Sequence, residues 1–187
     1  MRKRLIVSGV AGAAAAGVLA AVLWMTAWPT GPLGDGPLGK AGPAGATQCV
    51  SRQATSVGMS DLQNTTSSPI QIEKFSLVGP HAVRLLSVYL APVVRAADGT
   101  TTILGAGSAY PPTPDDLVRT DVQWNARHAL PMTMAPDRAG HSWNIIFGLE
   151  RTAAVGSVGY YQIQYEWRGQ QYMWTSDLSV RLIAKCA

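Results

Sequence analysis

Four side chains with an affinity for soft metal fall within fourteen residues: His128, Met132, Met134 and His141, spaced His-x3-Met-x-Met-x6-His. Thioethers and neutral imidazoles suit Cu(I), and Met-x-Met on an extended segment turns both sulfurs to one side. This constellation defines one reading of the chain, an extracytoplasmic Cu(I)-binding protein. Little else in the sequence is poised for chemistry. The three histidines (His81, His128, His141) are scattered, and none has a nucleophile at catalytic spacing. Gly105-Ala106-Gly107-Ser108-Ala109 lacks the spacing of a Gly-x-Ser-x-Gly elbow. There is no phosphate-cradling glycine loop, no His-Glu-x-x-His and no calcium-loop pattern. Asp115, Asp116 and Asp121 read as turn carboxylates rather than cation ligands, and Asn64-Thr65-Thr66 as a turn rather than a glycan acceptor. The expectation is no catalytic residue, no cofactor, no resident metal and no enzymatic activity.

The elements that position these residues begin with Leu5–Trp28, twenty-four residues without a charge. A helix of that length spans about 36 Å, enough for a ~30 Å hydrocarbon core. Residues 1–4 carry Arg2, Lys3 and Arg4, which hold the N-terminus in the cytoplasm, and Trp24 and Trp28 suit the opposite interface. Residues 5–28 are therefore expected to be a transmembrane signal anchor, with everything after them extracytoplasmic. Ala44-Gly45-Ala46 fits a signal-peptidase pattern but lies about eighteen residues beyond the apolar run, so the anchor is expected to stay uncleaved. Residues 29–48, rich in Pro and Gly with GPLG at 31–34 and again at 36–39, read as a linker. Residues 49–187 remain as one extracytoplasmic domain.

Cys49 and Cys186 bracket that domain. Outside the cytoplasm two such thiols pair, and neither sits in a Cys-x-x-Cys motif, so a structural disulfide is expected. The formal charge of +4 belongs mostly to the topology signal: residues 49–187 hold eleven Lys/Arg against ten Asp/Glu. That balance, without a basic run, excludes a nucleic-acid partner.

The domain reads as strands. Val57 and Met59 alternate with polar neighbours, Leu62-Gln63-Asn64 leads into a turn cluster at 65–69, and Ile70/Ile72 slip phase against Phe75/Leu77 at Glu73-Lys74, as a β-bulge requires. Val83–Val94 follows, with Leu86, Val88 and Leu90 on one face and Leu85 and Tyr89 on the other. A short strand is expected at Thr100–Leu104, an extended surface segment at the prolines of 110–114, an edge strand at Val122–Ala129 and a loop at Leu130–Pro136. Trp143, Ile145, Phe147 and Leu149 mark a strand with one buried face. Arg168-Gly169 joins Tyr160–Trp167 to Gln170–Thr175 in a hairpin that sets Tyr165 opposite Tyr172 and Ile163 opposite Trp174. Leu178–Ile183 is the last strand. Seven to nine short strands with Gly/Pro turns predict an all-β, antiparallel, immunoglobulin-like β-sandwich.

The order Leu62-Gln63-Asn64-Thr65, Phe75-Ser76-Leu77-Val78-Gly79, Ile145-Ile146-Phe147-Gly148-Leu149-Glu150-Arg151 and Ile163-x-Tyr165 resembles uncharacterised membrane-anchored or secreted domains of high-GC Gram-positive (actinobacterial) bacteria. That resemblance implies a location and a sandwich, not an activity. His141 before a strand ending in Gly148-Leu149 is also weakly similar to extracytoplasmic copper chaperones, whose His-x-Met is His141-Ser142-Trp143 here. The expectation for function is thus a non-enzymatic, single-pass, membrane-anchored binding module whose partner is a cell-envelope protein. The copper reading through His128, Met132, Met134 and His141 is its alternative.

Overall fold

The longest apolar runs become the longest strands. The computed structural model describes residues 32–41, 45–94, 96, 100–137 and 141–186. The expected anchor at 5–28 lies outside these, and among the described residues no helix is long and apolar enough to cross a membrane. The strands are β1 (Leu38–Ala41), β2 (Thr47–Val50), β3 (Ala54–Asn64), β4 (Ile70–Val78), β5 (Val83–Val94), β6 (His128–Ala129), β7 (Met132–Met134), β8 (His141–Arg151), β9 (Val155–Val158), β10 (Tyr160–Trp167), β11 (Gln170–Thr175) and β12 (Ser179–Ile183). Among the described residues one short α-helix, α1 (Pro114–Leu117), interrupts them.

The fold is all-β. A five-stranded sheet runs β1-β3-β8-β5-β6, a four-stranded sheet β11-β10-β4-β7, and a three-stranded sheet β2-β12-β9. Among these strands pairing is antiparallel except between β2 and β12. The sheets share one core: Val57, Leu62, Ile145, Phe147 and Leu149 from the first meet Ile70, Ile72, Phe75, Tyr161, Ile163 and Trp174 from the second and Val180 and Leu182 from the third. Phe75 and Phe147, on strands of different sheets, lie with ring centroids 4.8 Å apart. Cys49 and Cys186 are bonded, with Cα atoms 5.9 Å apart, beside the parallel β2–β12 pair.

The hairpin has the register read from its turn, Tyr165 opposite Tyr172 and Ile163 opposite Trp174. Arg168 and Gly169 both adopt positive φ, 52° and 74°, the backbone of a two-residue turn that follows strand twist. The β4 bulge falls where the phase slips: Gln164 pairs with Lys74 and Tyr165 with Ile72, leaving Glu73 extra.

Several expectations are corrected. Part of the 29–48 linker belongs to the fold, because Leu38–Ala41 pairs with β3 and Leu38 is buried. Leu85 faces the core together with Val88, since Leu86 is bulged between Leu85 and Ser87. Thr100–Leu104 forms no strand; Leu104 instead reaches the outer face of the five-stranded sheet, where Asn144 receives its amide. Only His128–Ala129 of the expected Val122–Ala129 edge strand is a strand; Val122 makes an isolated bridge to Val93, and a 3-10 turn at Trp124–Ala126 intervenes. Within the expected loop Leu130–Pro136, Met132–Met134 pairs with Ile70–Ile72.

The strand β8 is buried on both faces rather than one. Residues 100–126 fold over its outer side, covering Ile146, Ala91 and Val93 with Leu104 and Val122. Glycines make that cover fit. A Cβ on Gly148 would stand 2.4 Å from the Tyr110 ring, and one on Gly58 would stand 2.6 Å from the Leu104 carbonyl oxygen.

A candidate binding cleft beside Trp143

Asn64 closes β3 and is almost fully buried, so its amide needs partners. Nδ2 donates to the Ser68 and Met134 carbonyls, both at 3.0 Å, and Oδ1 accepts from Thr66 N at 3.1 Å. The Asn64 carbonyl accepts from Asp137 N at 2.8 Å. These bonds tie the end of β3 to the segment after β7. Between them and the start of β8 lies a cleft of about 370 Å³ lined by Asn64, Pro92, Ala135, Pro136, Asp137, Ser142 and Trp143. The walls are mainly apolar, with Trp143 half-buried. Ser142 Oγ is buried and has no hydrogen-bond partner among the described residues. An apolar cleft with a few polar groups is how proteins commonly hold a ligand or a partner's side chain.

The copper constellation is divided by the fold. Met132 and Met134 do turn to one side of β7, and that side is the hydrophobic core, where Met134 is fully buried. His128 sits exposed on β6 of the other sheet, its ring edge-on to Trp143 at 5.7 Å. His141 opens β8; its side chain is not among those described. Among the described residues, no group of three or more His, Cys, Asp or Glu is placed to hold a metal ion.

The acidic turn residues are engaged by backbone. The Asp116 carboxylate accepts from Thr113 N at 2.9 Å and Thr113 Oγ1 at 2.7 Å, completing the capping box of α1. Those Thr113 bonds hold its pKa below the usual carboxylate value. Asp121 Oδ2 accepts from Thr102 N at 2.7 Å and pins the outer cover. A second, shallower cleft at the opposite end is lined by Gln53, Arg84, Glu150 and Arg151. There the Arg84–Glu150 pair satisfies the charge across β5 and β8.

Sequence reasoning missed the cleft, because its residues come from four separated stretches. It also missed the N-terminal strap at 32–41. Leu33 N donates to Gln171 O at 2.8 Å and Met173 N to Leu33 O at 2.9 Å. Tyr165 Oη donates to Asp35 O and accepts from Leu38 N at 3.2 Å. Burial pushes the Tyr165 phenol up to about 12, against the Leu38 amide, which favours the phenolate. The two GPLG copies thus supply Leu33 and Leu38, five residues apart, each packed against the core.

No protein-family model matches this chain, and no curated protein matches it.

Proposed function

We propose that the chain is a non-enzymatic binding module of the cell envelope, immunoglobulin-like in architecture, anchored by residues 5–28 with its domain outside the membrane. The cleft beside Trp143 carries the reading. It is the more apolar of the two clefts described, and its lining includes the buried Ser142 hydroxyl, which has no partner among the described residues. The Cys49–Cys186 bond suits an oxidising compartment and supports the exported placement. The copper alternative draws less support, since both thioethers it needs lie within the core.

A photo-crosslinking residue at Ala135, exposed on the cleft rim, tests the binding role in intact cells. The reading predicts one discrete protein adduct, lost in Trp143→Ala and absent when the crosslinker stands at Ala153 in the opposite cleft. No adduct, or the same adduct from both positions, contradicts it.

A further inference from the structure

The cleft beside Trp143 continues into a cluster of rings around one arginine. Pro92, in the cleft lining, accepts from Gln123 N at 2.8 Å through its carbonyl. That bond ties the 3-10 turn at Trp124–Ala126 to the cleft. His128, exposed on β6, sets its ring against Trp143. Arg127 stands between these two attachments in the chain.

The Arg127 guanidinium is held in place before any ligand arrives. Its central carbon lies 4.4 Å from the Trp124 ring centroid and 5.2 Å from that of Tyr89, and the two rings meet edge to face at 5.6 Å. Nη1 donates to the Trp124 carbonyl at 3.1 Å. The residue is nevertheless exposed, and among the described residues no carboxylate pairs with it. The nearest acid in sequence, Asp121, is engaged by the Thr102 amide at 2.7 Å. A side chain ordered in this way loses little further freedom on binding, and its planar N–H donors match a carboxylate.

The surroundings leave access. β6 closes the five-stranded sheet, and both of its residues are exposed. No described strand lies beyond it, so an extended segment can pass along this edge from Arg127 to the cleft. Charge sets the register of that segment. Among the described residues, the cleft lining holds one acid, Asp137, and no basic group. An acidic side chain is therefore drawn to Arg127 and repelled from the cleft, which takes an apolar neighbour against Trp143.

We propose that Arg127, held between Tyr89 and Trp124, receives an Asp or Glu side chain of the protein partner whose apolar residue enters the cleft. The inference rests on the cleft reading above and adds the chemistry of the partner, an acidic, extended segment.

The test places a photo-crosslinking residue in the full chain at Ala126, exposed and next to Arg127, or at Ala135 on the cleft rim. The proposal predicts an adduct with the same protein from both positions in intact cells. Digestion should map the adduct from 126 to a segment with Asp or Glu within about three residues, a span of about 10 Å. Arg127→Glu should lower both adducts at least about tenfold, and Arg127→Gln should lower them less. Replacing the mapped acid of the partner with Lys should restore the adducts of Arg127→Glu, which a misfolded domain could not show. A mapped segment without an acid, an adduct from 135 alone, an adduct that Arg127→Glu leaves unchanged, or no restoration by Lys overturns the proposal and leaves the cleft reading standing. Absence of any adduct from 135 overturns both.

Discussion

Replacing Leu38 with Ala separates a docked strap from a free linker. Leu38 is 4% exposed, belongs to the main core and sits opposite Asn64 on β1. Losing three buried carbons removes about 2.4 kcal/mol of transfer free energy at about 0.8 each. The cavity left behind adds to this, and measured Leu→Ala costs run about 2–5 kcal/mol. Leu38 lies on a short edge strand that can settle into the gap, which places the expected cost near 3 kcal/mol, in the lower half of that range. Leu33→Ala, at a partly buried position, should cost about 1 kcal/mol. The assay is urea unfolding of the oxidised protein, with the midpoint shifted and the slope unchanged. A free linker would give a change within about 0.5 kcal/mol, and that result at Leu38 would refute the docked strap.

Asn144→Ala should cost about 2–5 kcal/mol, because it leaves the Leu104 amide and the Gly58 carbonyl without the side chain that bonds both. Faster hydrogen exchange at Leu104 would show the outer cover loosening. Tyr165 stays protonated above the usual tyrosine value of 10, so its contribution is fully present below pH about 10 and is lost as pH rises towards about 12. Unfolding free energy should therefore fall across that window, and Tyr165→Phe should flatten the fall; an unchanged slope would contradict the buried phenol. Reducing Cys49–Cys186, which closes a loop of sequence separation 137, should cost at most about 5 kcal/mol on the chain-entropy model. Peptide mapping without reductant should recover the linked pair.

What was legible in the sequence followed from local periodicity. The β10–β11 register came from a two-residue turn and two alternating strands, and the Glu73 bulge from a break in phase. The disulfide came from counting two cysteines in a chain read from its sequence as exported. What was hidden depends on contacts distant in sequence. Glycine and proline make 32–41 look like a tether, yet Gly36 at φ +61° is what lets the strap lie against Tyr165 and Tyr172. No period marks 100–126 as a cover, because it is held by single contacts such as Tyr110 over Gly148 and Asp121 on Thr102. Met132 and Met134 share a face, as alternation requires, but alternation does not say whether that face meets solvent or the core. The cleft was invisible for the same reason: Asn64, Pro92, Ala135 and Trp143 meet only once the sheets are stacked.

The compartment underlies both the reading of the disulfide and the proposed binding role. The direct measurement is thiol labelling of intact cells with a membrane-impermeant maleimide, using Ala153→Cys, an exposed position on a chain whose two native cysteines are bonded to each other. The account predicts labelling before lysis of a protein that sediments with membranes. Labelling only after lysis would contradict the exported domain, and labelled protein free in the medium would contradict the anchor.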